Sequence, residues 1–580
     1  MKLVEALKIL QGAPPTNAEE LSVYLACGFL PLHLVTFIEA YLRQRLPDRQ
    51  IAIETGIYGD LPGNLGKFKG AATCIGVVVF EWADFDSRLG LRSLGGWGPN
   101  VLADILINVQ LRADSFLELL KDVSSSKSVV ISMPSLPLPP VSYHPIEQAS
   151  LWQLQLIQAV NDFAVSAAVI PNVKILNQWS LEMSSPLAER LDVKSELSSG
   201  FPYRTAHASR LAKMLARLIQ SSQSKKGLIT DLDDTFWRGL LGESGVMGIS
   251  WSLERHSHIH ALYQQLLRAL SDSGVLIGVV SKNDPALVLE AFEREDLLMT
   301  HGRLFPFEVN WSAKSESVGR ILQIWNVSPD SVVFVDDSPL ELAEVKSVFP
   351  EMECLRFPRD DDQAAYILLE DLRDLFGKEF VFEEDAIRLD SIRSGAELRN
   401  QKMNGPSLEA DFFLKQLEAE LTLNLTYDAS DERPLELINK TNQFNLNGKR
   451  MSKTELVSRM AAHNAFFLLV SYRDKYGPLG KVAVILGKVD SQRLNIDTWV
   501  MSCRAFSQRI EYKCLEYIFD ELGISEITFD FKPTVRNRPL QEFLLKVFGA
   551  ELRPTYTLDK ETFSNHKPAL YHTIKGLIHA

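Results

Sequence analysis

The chain has 580 residues, 74 of them acidic against 61 basic, and a formal net charge of −13. That length supplies about three or four domains, and the acidic balance without a long Lys/Arg run excludes a general nucleic-acid binder, whose phosphate contacts need basic faces. No apolar stretch approaches the ~20 residues that span a bilayer, and Met1-Lys2-Leu3-Val4-Glu5 opens no signal-peptide core. A cytoplasmic protein without membrane partners is expected. Cys27, Cys74, Cys354, Cys503 and Cys514 show no paired metal spacing and suit a reducing compartment.

In the first ~215 residues, apolar runs such as Ile75 to Phe80 and Val129 to Ile131 alternate with helical patterns, which predicts an α/β layer. The Pro-rich "SMPSLPLPPVSYHP" reads as a stiff surface connection, and "SSQSKKG" as a domain boundary. This part resembles the SGNH-hydrolase fold, with "ACGFLPLHL" where that family's Gly-Asp-Ser nucleophile turn would stand. Phe29 follows Gly28 and no nucleophilic serine is present, so a binding or scaffolding role is expected. His207 in "FPYRTAHASRLA" reads either as a mimic of a catalytic histidine or as a surface or packing residue.

The next block carries most of the chemistry. Asp231 and Asp233 of "DLDDT" follow the apolar run Leu228 to Thr230, and side chains two apart on a strand point the same way. One carboxylate can then attack phosphorus while the other serves the leaving oxygen as acid. Ser281 in "GVLIGVVSKND", Lys314 in "VNWSAKSES" and Asp336-Asp337 in "SVVFVDDSPLE" follow in order. Three of these pieces end short apolar runs, as buried parallel strands do, so their polar ends share one sheet edge. The alternative, that the aspartates only cap a helix, explains neither Lys314 nor the second acidic pair. For Ser281 alone, a turn residue before Lys-Asn-Asp-Pro is a competing reading.

This block resembles the haloacid dehalogenase (HAD) phosphohydrolases. The resemblance implies Asp231 as phosphoryl-accepting nucleophile, Asp233 as general acid/base, and Ser281 and Lys314 as phosphate-oxygen partners. It also implies a Mg²⁺ site from Asp231, the Asp233 backbone carbonyl, Asp336 and Asp337. An anionic nucleophile meeting an anionic phosphate needs a cation between them, and hard oxygen ligands select Mg²⁺. The short distance between the first two motifs leaves little room for an inserted cap, so a terminal domain or a docking partner is expected to roof the site.

A charged, helix-prone bridge, "KEFVFEEDAIRLDSIRSGAELRNQ", runs to Asn404-Gly405-Pro406. Beyond it, "KVAVILGKV" and "LNIDTWVMSC" predict adjacent antiparallel strands, and "RIEYKCLEYIFDELG" an amphipathic helix. This order resembles the GNAT acyltransferase fold. In "SCRAFSQRIE", Ser507 and Gln508 stand where that family's pyrophosphate loop has glycines, so no cofactor is assigned to it. Cys503 is placed between strand end and helix start, beside Arg504 and near Arg509, where a thiolate is favoured and could accept an acyl group. A small buried hydrophobe is the alternative for Cys503, and the expected role of Cys514.

From residue 225 to 550 the chain resembles one family, the FkbH-like HAD proteins of polyketide biosynthesis. The segments that carry the likeness are "DLDDTFWRGLLGE", "SKND", "VNWSAKSES", "FVDDSPLE", "INKTNQFNLNGKR", "YRDKYGPLGKVAV", "DTWVMSCR" and "KPTVRNRPLQEFLLKVFGAEL". The resemblance implies a glyceryl transferase and phosphatase. Its substrate would be 1,3-bisphosphoglycerate or a related phosphorylated hydroxy acid, and its partner an acyl carrier protein bearing phosphopantetheine. The expected architecture is a multidomain α/β protein. It comprises an SGNH-like non-catalytic domain (1–220), a HAD Rossmann-like parallel-sheet domain (221–376), a helical linker (377–420) and a GNAT-like α+β domain (421–580). A stand-alone phosphatase with a C-terminal lid, and a silent scaffold, are the other readings.

Overall fold

The computed structural model describes the chain except residues 13–17, 19, 72–74, 142, 143, 146, 221–223, 379, 394–410, 412, 413, 476, 507, 535, 549–554, 579 and 580. Cys74, the Asn404-Gly405-Pro406 stop, Ser507, and parts of the Pro-rich connection and of the "SSQSKKG" boundary therefore lie outside the described residues. Two compact units result, residues 1–222 with 452–454, and the remainder of 223–580.

The first unit holds a parallel sheet of β1 (Glu20–Cys27), β2 (Gln50–Thr55), β3 (Ile75–Val79), β4 (Ser128–Ser132) and β5 (Val173–Ile175), in the order β2-β1-β3-β4-β5. Helices Leu32–Arg45 and Thr205–Ile219 cover one face with Phe37, Ile38 and Leu211, and Leu102–Ser124 and Leu151–Ala168 the other with Phe116 and Phe163. Burial on both faces explains why these strands read as unbroken apolar runs.

The second unit contains two sheets. The first is parallel, ordered β10-β9-β6-β7-β8, from β6 (Gly227–Thr230), β7 (Leu276–Ser281), β8 (Phe307–Val309), β9 (Val332–Asp336) and β10 (Glu353–Arg356). Helix Lys314–Trp325 packs on one face, and its last residue lies flat against the strands because two of them offer glycine there. A Cβ on Gly227 would sit 2.5 Å from the Trp325 ring, and one on Gly278 3.0 Å from it.

The second sheet has seven strands, β11 (Glu420–Asn424), β12 (Ala465–Asp474), β13 (Gly477–Asp490), β14 (Arg493–Met501), β15 (Glu526–Asp530), β16 (Thr555–Asp559) and β17 (Thr573–Ile578). Their order is β16-β15-β14-β13-β12-β11-β17, antiparallel except for β14–β15 and β11–β17. The fold is thus mixed α/β, two Rossmann-like parallel sheets and a largely antiparallel C-terminal one. β14 and β15 pair only from Arg493 to Ile496, after which β14 continues beside β13 without β15 on its other side. The free stretch is covered by Phe444 to Asn447: Leu446 N–H donates to the Trp499 carbonyl, Met501 N–H to that of Phe444, and Lys532 N–H to that of Leu446. Asn447 braces the wedge by donating to the backbone carbonyls of Asp497 and Asp530.

The described contacts between these two sheets gather at the amino ends of the parallel strands. Lys226 Nζ donates to the Lys440 carbonyl, Asn326 Nδ2 to that of Cys503, and Arg536 pairs with Asp330 at 3.0 Å. The C-terminal sheet therefore meets the edge opposite to Asp231, so in these contacts it is not the roof over the aspartates expected from a terminal domain or a docking partner.

Among the described residues no helix is long and apolar enough to cross a membrane.

Candidate functional site

Strands β6, β7 and β9 run parallel and in register, Thr230 beside Val279 and Val335, so Asp231, Ser281 and Asp336 emerge at one edge. The chain can leave β6 sharply because Asp234 adopts the left-handed region at φ 51°, which short polar side chains tolerate. Its carboxylate accepts from Gly239 N–H at 2.8 Å and pairs with Arg359 at 2.6 Å.

Lys314, the first residue of its helix, is the electrostatic hub. It is 4% exposed, and its Nζ lies 2.6 Å from Asp336 Oδ2 and 3.0 Å from Asp231 Oδ1. Burial disfavours the ammonium, but Asp231 and Asp336 outweigh burial and hold it protonated, above the ordinary range of lysine. Burial pushes the Asp336 carboxyl up to about 7, Asp231 adding to the effect and Lys314 opposing it. Asp337 is raised as well, by burial and then by Asp231, with Arg359 at 3.1 Å pulling the other way.

Three acids crowded around one lysine leave negative charge in excess. Carboxylate oxygens of Asp231, Asp336 and Asp337 lie within 4.8 Å of one another. Asp231 Oδ1 is buried, with the Lys314 ammonium 3.0 Å away but no aligned hydrogen-bond donor. Carboxylate oxygens gathered this closely, with one ammonium shared between two of them, suit a divalent cation such as Mg²⁺.

The Asp233 side chain turns elsewhere. Its Oδ1 accepts from Trp237 Nε1 at 2.9 Å and Leu241 N–H at 3.2 Å, and its Oδ2 from Asn283 Nδ2 at 3.0 Å. Burial raises its carboxyl above the usual range, and these donors oppose the shift. Only its backbone carbonyl is left as a candidate ligand, as the resemblance implies. Ser281 ends β7 and is 2% exposed, its carbonyl accepting from Asn310 N–H at 3.1 Å. Asn283 went unassigned in the sequence although it stands in "SKND", and so did Arg359, which bridges Asp234 and Asp337.

Cys503 lies at the other edge of the parallel sheet. It follows β14 and opens a 3₁₀ turn, Cys503–Ala505, while the next α-helix starts only at Ile510. The expected placement at a helix N-terminus is corrected: several loop residues separate the thiol from that dipole, whose effect fades within a turn. Cys503 lines a cavity of about 100 Å³ with Lys226, Lys378, Arg388, Arg433 and Lys440. Cys514 is fully buried in the core, as expected.

In the first unit His207 is buried, Ser135 Oγ 3.0 Å from Nε2 and Ser185 Oγ 2.9 Å from Nδ1. Burial, then Arg190, lowers it to about 3. Ser135 Oγ donates to Glu81 Oε1 at 2.7 Å, and Tyr203 OH donates to the same oxygen at 2.7 Å. Despite these donors, burial pushes Glu81 up to about 7. Asp84 leaves no room for a side chain at Gly28: a Cβ there would meet Asp84 Oδ1 at 1.9 Å.

No family model matches the chain. No curated protein matches it either. Among solved structures it is similar to the N-terminal part of the protein BF1531 from Bacteroides fragilis, which contains a phosphatase domain and was crystallised in complex with Mg. The identity is 18% and the TM-score 0.53, over 65% of this chain and 99% of that one, a likeness of fold. ADP-heptose lipopolysaccharide heptosyltransferase II from E. coli matches at 10% identity over 61% of this chain and 98% of that one, and its TM-score of 0.15 carries no argument.

Proposed function

We propose that the chain is a Mg²⁺-dependent HAD-type phosphatase that also acts as an acyltransferase, loading a glyceryl or related hydroxyacyl group onto an acyl carrier protein as in polyketide biosynthesis. The observation that carries the phosphatase half is the cluster of Asp231, Asp336 and Asp337 around Lys314, with Asp233 held beside it by Asn283 and Trp237. The shared fold with a phosphatase-containing chain crystallised with Mg supports it.

In this reading Asp231, Asp336, Asp337 and the Asp233 carbonyl hold Mg²⁺, which when bound offsets charge between carboxylate and phosphate. Asp231 attacks phosphorus and the ester P–O bond breaks, Asp233 supplying the proton to the leaving oxygen. Water then cleaves the aspartyl phosphate with Asp233 as base. Lys314 and Ser281 meet the phosphate oxygens, Lys314 as a point charge.

The transferase half rests on Cys503. An acyl phosphate such as 1,3-bisphosphoglycerate is already activated, so the Cys503 thiolate can attack its carbonyl, form a thioester and expel phosphate. The carrier thiol then displaces Cys503. A group tethered to a carrier arm can visit both edges of the sheet.

We further assign residues 1–220 to an SGNH-like binding or scaffold domain, supported by the buried His207 and by the turn Gly28-Phe29-Leu30, which has no nucleophilic serine. The C-terminal sheet is assigned to a GNAT-like domain, supported by the splayed β14–β15 pair. The wedge of Phe444 to Asn447 in that splay supports the reading that no CoA binds there.

The deciding measurement incubates the protein with Mg²⁺, candidate phosphoglycerates and a holo carrier protein, then weighs both proteins. An acyl adduct supports the whole reading. Phosphate release with no adduct favours a stand-alone phosphatase, and neither signal favours a scaffold.

A further inference from the structure

Two elements connect the Asp231 cluster with the Cys503 cavity, and they give the same spacing. Strand β6 has Asp231 after its last residue and Lys226 before its first, about 17 Å apart at the usual rise of a strand. Helix Lys314–Trp325 has Lys314 at the acidic cluster and Trp325 in the cavity wall, about 17 Å apart at 1.5 Å per residue. The cavity is therefore a separate site, which a small ligand bound at the aspartates does not reach.

Its charge is the reverse of that cluster. Lys226, Lys378, Arg388, Arg433 and Lys440 line it, and Glu436 is the carboxylate in the wall. Some of these cations have structural duties. Lys378 and Arg388 both pair with Asp385 at 2.9 Å and donate to the Ser273 and Gly274 carbonyls, closing the carboxyl end of helix His258–Asp272. Lys440 pairs with Glu436 at 3.0 Å.

Lys226 has no such duty. Among the described residues its Nζ meets no carboxylate and makes one long hydrogen bond, 3.3 Å to the Lys440 carbonyl. Burial, and then the charges of Arg388 and Arg450, hold its ammonium below the usual range, while Cys503 and, more weakly, Asp330 oppose that shift.

Two further groups are left open. Arg433 is 4% exposed and pairs with Glu436, and its Nε, with Glu384 Oε1 3.9 Å away, makes no hydrogen bond. The Gln443 side-chain oxygen is buried without a donor. Such groups are costly to bury when left unmet. A ligand that combines an anion with a hydroxyl or amide donor would satisfy all three.

We propose that the cavity beside Cys503 is a phosphate-binding pocket, in which Lys226 and Arg433 take up the phosphate of a phosphorylated ligand whose own donor meets Gln443, on the opposite sheet edge from Asp231. The ligand's use rests on the transferase reading, but its binding does not. An incoming phosphorylated acyl donor and the phosphopantetheine of a carrier share this chemistry.

The test follows alkylation of Cys503 in the full chain by iodoacetamide, located by peptide mass, in EDTA and at constant ionic strength. Inorganic phosphate is expected to slow it at least fivefold where chloride does not. The same slowing is expected in Asp231→Asn and in Lys226→Arg, whereas Lys226→Met should need at least tenfold more phosphate. No slowing by phosphate, equal slowing by chloride, or loss of the effect in Asp231→Asn would overturn the pocket. Should Lys226→Met not fold, the thermal midpoint of Asp231→Asn decides instead: phosphate raises it if the pocket exists, and an unmoved midpoint overturns the proposal. Comparing 3-phosphoglycerate with 4′-phosphopantetheine assigns the source, and protection by neither counts against the pocket. Protection without an acyl adduct on Cys503 would sink the transferase reading and leave the pocket standing.

Discussion

Lys226 and Asp231 bracket the same four-residue strand, Gly227–Thr230, an ammonium that meets no carboxylate among the described residues at its amino end and a buried carboxylate at its carboxyl end. The two chemistries proposed here thus sit on opposite rims of one sheet, and variants can address them separately.

Asp231→Asn keeps the shape of the side chain but removes the nucleophile and one metal-binding charge. Loss of hydrolysis by about three orders of magnitude or more is expected, with an unchanged circular dichroism spectrum. Retention of more than about a tenth of wild-type turnover would refute the nucleophile assignment.

Removing one ligand weakens metal binding more than it alters the remaining chemistry. Asp337→Ala should therefore lose activity at low Mg²⁺ and recover part of it at high Mg²⁺, while Lys314→Ala should not recover. Identical Mg²⁺ titrations of the two variants would collapse the distinction between ligand and phosphate partner.

Asn283 donates to Asp233 and lowers its carboxyl pKa. Asn283→Ala should thus raise that pKa and, with Asp233 acting as acid, move the alkaline limb of the pH–rate profile upward, alongside an approximately tenfold loss in kcat. A uniform loss with the profile unmoved would reduce Asn283 to packing.

Cys503→Ala should still hydrolyse phosphate esters but transfer no acyl group to a carrier protein, and Cys514→Ala should transfer normally. The wild-type adduct should be removed by hydroxylamine and map to the peptide containing Cys503. Full transfer by Cys503→Ala would point to direct attack by the carrier's own thiol.

The first unit should show its own pH dependence. Glu81 and Asp84, both pushed up to about 7 by burial, bind protons more tightly folded than unfolded. Their contribution is present below the unfolded value near 4 and is lost as pH rises through 7, by at most about 3 kcal/mol for Glu81. His207, lowered to about 3, works in the opposite sense, its contribution present above its unfolded pKa near 6.5 and lost as pH falls towards 3. Urea midpoints of this unit should fall between pH 5 and about 7.5, and fall more steeply in His207→Gln. A flat or rising curve would contradict the buried-acid description.

The reactive edge was legible because apolar runs and the polar residues that end them are adjacent in the chain. Leu228 to Thr230 with Asp231, and Val332 to Val335 with Asp336, needed no tertiary knowledge. Asn283 and Arg359 act across 50 and 22 positions or more, on Asp233 and Asp337, and no local pattern marks such partners. The cationic cavity was hidden for the same reason, its wall drawn from segments as distant as Lys226 and Cys503. Cys503 was misplaced relative to its helix because a 3₁₀ turn and the loop after it leave no periodic signal.

The wedge from Phe444 to Asn447 has one more consequence. Where β14 leaves β15, its peptide groups would otherwise form an exposed strand edge, the kind of surface on which separate chains pair and aggregate. Leu446 and Met501 close that edge by the same hydrogen bonds that fill the slot. Any change that opened the slot to a ligand, such as Asn447→Gly with its loss of the brace between Asp497 and Asp530, would also uncover a template for self-association. Holding this segment shut thus guards the chain against edge-to-edge pairing.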